Sequence, residues 1–234
     1  MGETWDKLTS EVRKTFTSQW SLRTGKKVPG ISDLLLGSND GVQFNGTVLY
    51  ADLAESTNLV DNHDPTFAAA IYKAYLFCSA EAIKSVGGEI VSYDGDRIMS
   101  IFIGEDQANA AVFAALRIAG AAERLIGRML EAHYSDKKFY LQHGVGIDSS
   151  PILAARTGVR GDNDIVWVGR AANYAAKLSS LRIHRYPIVI TGDVLMNLTG
   201  EAVRSRDQQL MWTNMYRKLN TCQLYGTEWL HYNF

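Results

Sequence analysis

Two aspartates stand where short apolar runs end. Asp52 lies in GTVLYADLAEST (46–57), and Asp96 follows Asp94-Gly95 in GGEIVSYDGDRIMSIFIG (87–104). A carboxylate that interrupts an apolar strand is costly to bury unpaired, so Asp52 either caps the next turn or holds a cation. Asp-Gly between two strand-like runs is a strong short-range hairpin signal. If the strand ending at Asp52 lies beside that hairpin, both carboxylates meet at one end of a sheet. Two hard oxygen donors there suit Mg²⁺ or Mn²⁺, with phosphate oxygens completing the shell. The segment Leu53, Ala54, Glu55, Ser56 and Thr57 leads toward a helix, and its backbone N–H groups are placed to receive phosphate oxygens. Farther on, Arg170, Asn173 and Lys177 fall at i, i+3 and i+7, on one helix face. Two cations and an amide suit a reader of polyphosphate and sugar, but a solvated face has the same composition.

The elements that must position these residues follow from periodicity. Trp5, Leu8, Val12, Phe16 and Trp20 recur at spacings of three and four, which predicts an amphipathic helix over Thr4–Trp20 that docks on the domain or on a partner subunit. A turn-rich connector follows, so residues 1–43 read as a helix and connector and 44–234 as one main domain. Phe44–Leu53 reads as a strand buried on both faces. Asp64-Pro65 starts a helix over Phe67–Val86, which Gly87-Gly88 ends. After the hairpin, Asp106–Leu130 reads as a long alanine-rich helix, Phe139–Ile147 as a strand and Asp148–Asn163 as a turn-rich stretch. Asp164–Val168 reads as a short strand, Gly169–Leu181 as a helix and Tyr186–Thr191 as a strand, before a short helix and C-terminal strands. The expectation is an α+β fold, a mostly antiparallel sheet covered by helices around a ferredoxin-like core.

Composition narrows the function classes. Of 234 residues, 46% are hydrophobic, enough for a sizeable core, and the formal net charge of −1 supplies no global field for nucleic acid or an anionic membrane. No apolar stretch approaches the ~20 residues that cross a bilayer, and the charged start lacks a signal-peptide core. Cys78 and Cys222 have no metal-ligand company and read as reduced thiols, so the expected location is cytoplasmic.

YADLAEST, GGEIVSYDGDRIMSIF and VGIDSS…WVGRAANYAAKLSSL, in that order and spacing, resemble the catalytic domain of class III nucleotidyl cyclases, over Thr47 to Thr191. The resemblance implies two Mn²⁺ or Mg²⁺ ions per site and a head-to-tail homodimer with composite active sites. It also implies attack of a ribose 3′-hydroxyl on the α-phosphate with loss of pyrophosphate. Matched position by position, it makes Asp52 and Asp96 the metal pair, with the Leu53 carbonyl as a further ligand. Asn173 becomes the ribose-orienting residue, supplied by the partner subunit. Lys177 stands where the family usually has an arginine, which keeps the charge but not the guanidinium fork.

The base-reading positions depart from the purine cyclases. Ser92 occupies the position of an adenine-reading lysine, and Val166 that of its acidic or hydroxyl partner. Tyr50 shares a strand face with Asp52, and Arg97 directly follows Asp96, which suggests a smaller pocket with an added donor. The combination is similar to the bacterial pyrimidine cyclases of Pycsar anti-phage defence. That likeness implies cyclic UMP or cyclic CMP as product, read by a separate effector. Arginine only donates, so Arg97 favours uracil if it reaches O4 and does not discriminate if it reaches O2. UTP is therefore preferred over CTP. The alternatives are an adenylyl or guanylyl cyclase and a catalytically silent nucleotide-binding regulator. A cyclic-dinucleotide synthase is disfavoured because Ile90 and Val91 follow Glu89 where acidic residues would be needed.

Overall fold

The computed structural model describes residues 2–181 and 185–231. The chain divides into two compact units, one formed by residues up to Asn45 together with Pro151–Gly169, the other by Gly46–Ser150 and Arg170 onward.

The first unit begins with helix α1 (Glu3–Thr17), none of whose residues is buried. Trp5, Leu8, Val12 and Phe16 all stay largely exposed, Phe16 at 84%. Polar contacts hold the helix instead. Asn39 Nδ2 donates to the carbonyls of Thr15 (2.9 Å) and Ser18 (2.8 Å), and Lys14 Nζ to that of Gly37 (2.6 Å). The connector contains a short strand, β1 (Ser21–Thr24), which pairs in parallel with the start of β2 (Asp40–Leu53). Arg23 pairs with the buried Asp40 at 2.6 Å. The last part of this unit is an antiparallel ribbon of Leu153–Val159 with Asp162–Val168.

The second unit carries the ferredoxin-like arrangement. After β2 come α2 (Ser56–Asn62), α3 (Pro65–Lys84), β3 (Glu89–Asp94), β4 (Arg97–Phe102), α4 (Gln107–Ala121), α5 (Arg128–His133) and β5 (His143–Val159). The ribbon strand of the first unit is β6 (Asp162–Val168), and it is followed by α6 (Arg170–Ser179), β7 (Ile188–Thr191), α7 (Gly192–Leu195), β8 (Thr213–Leu219) and β9 (Cys222–Thr227). The sheet order is β3-β4-β2-β5-β7-β9-β8. Within it, β2–α3–β3–β4–α4–β5 is a βαββαβ unit, and the chain belongs to the mostly antiparallel, helix-covered class expected.

One sheet face is the core. Leu49, Ala51, Leu53, Ile98 and Phe102 pack with Ile71 and Tyr75 of α3 and Ala111, Val112 and Ala115 of α4. The small side chains of α4 let that helix lie close on the strands, where apolar burial is the main stabilising term. Asp64 caps α3 by accepting from the Phe67 N–H at 2.9 Å. Two expectations need correction. The helix read over Asp106–Leu130 is interrupted by a π-helical turn at Ala122–Gly127. The stretch Asp148–Asn163, read as turn-rich, is strand as far as Val159.

Candidate active site

The opposite face of the β3-β4-β2 ladder collects the polar residues. Asp52 pairs with Arg97 and Tyr50 with Met99 across β2 and β4, while Asp94 pairs with Arg97 and Ser92 with Met99 across β3 and β4. Paired residues point to the same side and alternate along each strand. Tyr50, Asp52, Ser92, Asp94, Arg97 and Met99 therefore form two adjacent rows on one face.

The register is set by a turn of two residues, Gly95 and Asp96, between β3 and β4. Asp-Gly was expected to occupy the tip. The tip instead lies one residue further on, with Gly95 at φ +60° in the left-handed region that glycine adopts without strain. This keeps Ser92 opposite Met99. A bulge between Ile90 and Ser92 then returns Ile90 to the core side.

Asp96 sits in that turn, immediately before the residue facing Asp52, so both aspartates reach the same end of the ladder. Asp52 is 4% exposed. Its Oδ1 lies 3.5 Å from Arg97 Nε, and its Oδ2 accepts a long hydrogen bond, also 3.5 Å, from the Ser180 hydroxyl. Asp96 Oδ2 is buried and has no hydrogen-bond partner among the described residues. A buried carboxylate oxygen without a donor is unfavourable, and a cation would relieve it. Oxygen-only donors suit Mg²⁺ or Mn²⁺, so the residues fit such an ion. Among the described residues no group of three or more His, Cys, Asp or Glu side chains could hold a metal. An ion here would thus draw on two carboxylates, a backbone carbonyl such as that of Leu53, and its substrate.

Next to this end of the ladder lies a cavity of about 320 Å³ lined by Tyr50, Ser92, Tyr93, Asp94, Arg97 and Met99. That is the lower end of the small-molecule range. Burial pushes the Tyr50 phenol above its ordinary pKa, and Asp94 adds to the shift while Arg97 opposes it. The tyrosine is a protonated donor at neutral pH.

Beyond Asp52, Glu55 adopts φ +56°, a left-handed conformation unusual for glutamate, and α2 begins at Ser56. The Ala54 N–H is used internally, donating to the Gln142 carbonyl at 2.8 Å. The N–H groups of a first helical turn, here from Ser56 and Thr57, have no intrahelical acceptor.

Helix α6 separates the three residues grouped on it by sequence. Asn173 and Lys177 are exposed. Arg170 turns inward, because a helical side chain leans toward its N-terminus and here meets β5. Its guanidinium grips Asp148 at 3.0 and 3.1 Å, the Ser149 carbonyl at 2.8 Å and Asp193 at 2.5 Å. Thr191 donates to the same Asp148 at 2.6 Å. Burial opposes the charge on Arg170, but the hydrogen bonds to Asp148 and Asp193 outweigh it and hold its pKa above the ordinary value. Ser180, which the sequence reading did not single out, continues the Asn173–Lys177 face by one turn and reaches Asp52. Its signal was the spacing alone, i, i+4 and i+7.

No protein-family model matches the chain. Relatives are clear nonetheless. The chain is 42% identical over 225 residues to a uridylate cyclase of Xanthomonas perforans, covering 96% of each. It is 43% identical over 197 residues to a uridylate cyclase of Burkholderia cepacia, covering 84% of this chain and 85% of that one. Among solved structures, the guanylyl cyclase Cya2 superposes with a TM-score of 0.68 at 18% identity, over 82% of this chain and 95% of that one. A bacterial light-regulated adenylyl cyclase superposes with a TM-score of 0.67 at 20% identity, over 80% of this chain and 51% of that one. The fold is thus that of the class III cyclase catalytic domain, and the chain belongs to the bacterial uridylate cyclase family of nucleotidyl cyclases.

Proposed function

We propose that this protein converts UTP to 3′,5′-cyclic UMP and pyrophosphate, with Mn²⁺ or Mg²⁺ held by Asp52, Asp96 and the Leu53 carbonyl. The observation that carries the reading is the cavity of Tyr50, Ser92 and Arg97 beside the end of the ladder where both aspartates converge. Its donors suit the carbonyl oxygens of a pyrimidine, and no lysine stands where an adenine reader would. The names of the relatives point the same way.

When bound, the ions lower the pKa of the ribose 3′-hydroxyl and offset the triphosphate charge. The chain's own residues do the rest. Tyr50, Ser92 and Arg97 hold the base, and within the Leu53–Thr57 turn the Ser56 and Thr57 N–H groups receive phosphate oxygens, the Ala54 N–H being committed to Gln142. Asn173 and Lys177 of a second copy orient the ribose and compensate charge at the α-phosphate, in a head-to-tail homodimer. Arg170, committed to Asp148, supports this helix rather than touching the triphosphate. The product serves as the messenger of an anti-phage defence system, read by a separate effector, as in the branch the motifs resemble.

Product analysis tests this directly. Purified protein with Mn²⁺ and each of the four ribonucleoside triphosphates is expected to yield cyclic UMP from UTP, and Asp96→Ala none. Cyclic CMP as the main product would reassign the base, cyclic purines would refute the reading of the cavity, and triphosphate binding without turnover would indicate a silent regulator.

A further inference from the structure

Arg97 stands between two carboxylates. On one side it faces Asp52 of β2, and on the other Asp94 of β3. Its Nε is 3.5 Å from Asp52 Oδ1, yet this buried nitrogen makes no hydrogen bond among the described residues. The pair is held by charge and not by donor geometry. Such a contact relieves the burial cost of Asp52 without fixing the guanidinium in place. The side chain is 39% exposed and also lines the cavity with Tyr50 and Asp94, so its head has a second place to go.

We infer that Arg97 is a counter-ion of Asp52 until a divalent cation takes that carboxylate, and then passes to the cavity beside Asp94, where it reads the base. This rests on the proposed metal role of Asp52 and the proposed base role of the cavity. A guanidinium and a divalent cation compete for one buried carboxylate, because each is repelled by the other in the position it would share. Binding of the cation therefore frees the base reader, and a base that draws Arg97 into the cavity frees the carboxylate. By linkage the two effects are equal in free energy. Arg97 is in this respect a positioning residue as well as a specificity residue.

The test is Mn²⁺ affinity of the nucleotide-free full chain, read from the electron paramagnetic resonance signal of free Mn²⁺. If Arg97 competes for Asp52, Arg97→Gln binds Mn²⁺ roughly five-fold more tightly than wild type, the worth of a partly exposed ion pair. Saturating uridine, which has no phosphate and cannot chelate the ion, tightens Mn²⁺ binding in wild type by a similar factor and leaves Arg97→Gln unchanged. Equal or weaker Mn²⁺ binding by Arg97→Gln would overturn the inference. So would an absent uridine effect in wild type, a measurement that needs no variant to fold. Asp52→Asn separates the two levels. Mn²⁺ binding indifferent to that change would remove Asp52 from the metal site, whereas binding that depends on Asp52 but not on Arg97 would leave the site intact and refute the coupling alone.

Discussion

At the residue scale Arg170 and Asp148 form a bidentate ion pair in the second unit. Asp148 is fully buried, at 0% exposure, while the guanidinium is 34% exposed. Removing the cation leaves a buried carboxylate with only the Thr191 hydroxyl among the donors named above, and a charge orphaned in this way is costly. Arg170→Ala is expected to lower stability by about 3 kcal/mol, the low end of that range because the partner is partly solvated. Urea denaturation measures it, and an unchanged midpoint would mean that Asp148 finds other compensation. Arg170→Lys should recover only part of the loss, since an ammonium lacks the planar fork that grips both Asp148 oxygens. Legibility at this scale was uneven. Asp52 and Asp96 could be singled out because each stands where an apolar strand or hairpin run ends, whereas Tyr50, Ser92 and Arg97 became legible only beside the motifs of the cyclase family. The inward turn of Arg170 was not visible, since its partners lie more than twenty positions away.

At the element scale, α6 is seated on β5 at Gly146. A Cβ there would collide with the Ala175 carbonyl and with the Ser179 N–H at 2.5 Å, so backbone would have to move. Gly146→Ala should therefore lift α6 from the sheet, costing about 1–3 kcal/mol as overpacking does. It should also reduce cyclic-nucleotide turnover, because Asn173 and Lys177 ride on that helix. Stability and activity both at wild-type level would show that the seat is looser than the contacts imply. Element existence was largely readable: the N-terminal helix, the hairpin, α3 and α6 all carry clear periodicity or caps. The missed stretch is instructive. Asp148, Ser149, Ser150 and Pro151 have turn-forming composition, but each polar side chain is satisfied by a distant partner. Asp148 is held by Arg170, Ser149 bonds Thr47 at 2.8 Å and the Ser150 hydroxyl accepts from the Ala171 N–H at 2.9 Å. Tertiary partners override local strand propensity, and no local window contains them. The π turn in the alanine-rich helix is equally silent, because Ala122–Ile126 are ordinary helix formers.

At the scale of the whole molecule the open issue is which copy completes the site. The proposed dimer takes Asp52 and Asp96 from one subunit and Asn173 and Lys177 from its partner. Within one chain, however, Ser180 extends the Asn173–Lys177 face to its own Asp52 at 3.5 Å, so an arrangement within the subunit is the physical competitor. Complementation separates them. Asp96→Ala and Asn173→Ala proteins should each be inactive alone. In a head-to-tail dimer, a mixed pair carries both defects in one site and none in the other. Equal parts, dissociated and reassociated at random, should then regain about one quarter of wild-type activity, since half of the dimers are mixed and each has one intact site. If the two defects act within the same subunit, no pairing produces an intact site and the mixture stays at the sum of its parents. The recovered fraction thus reports directly on which subunit supplies the ribose-orienting asparagine.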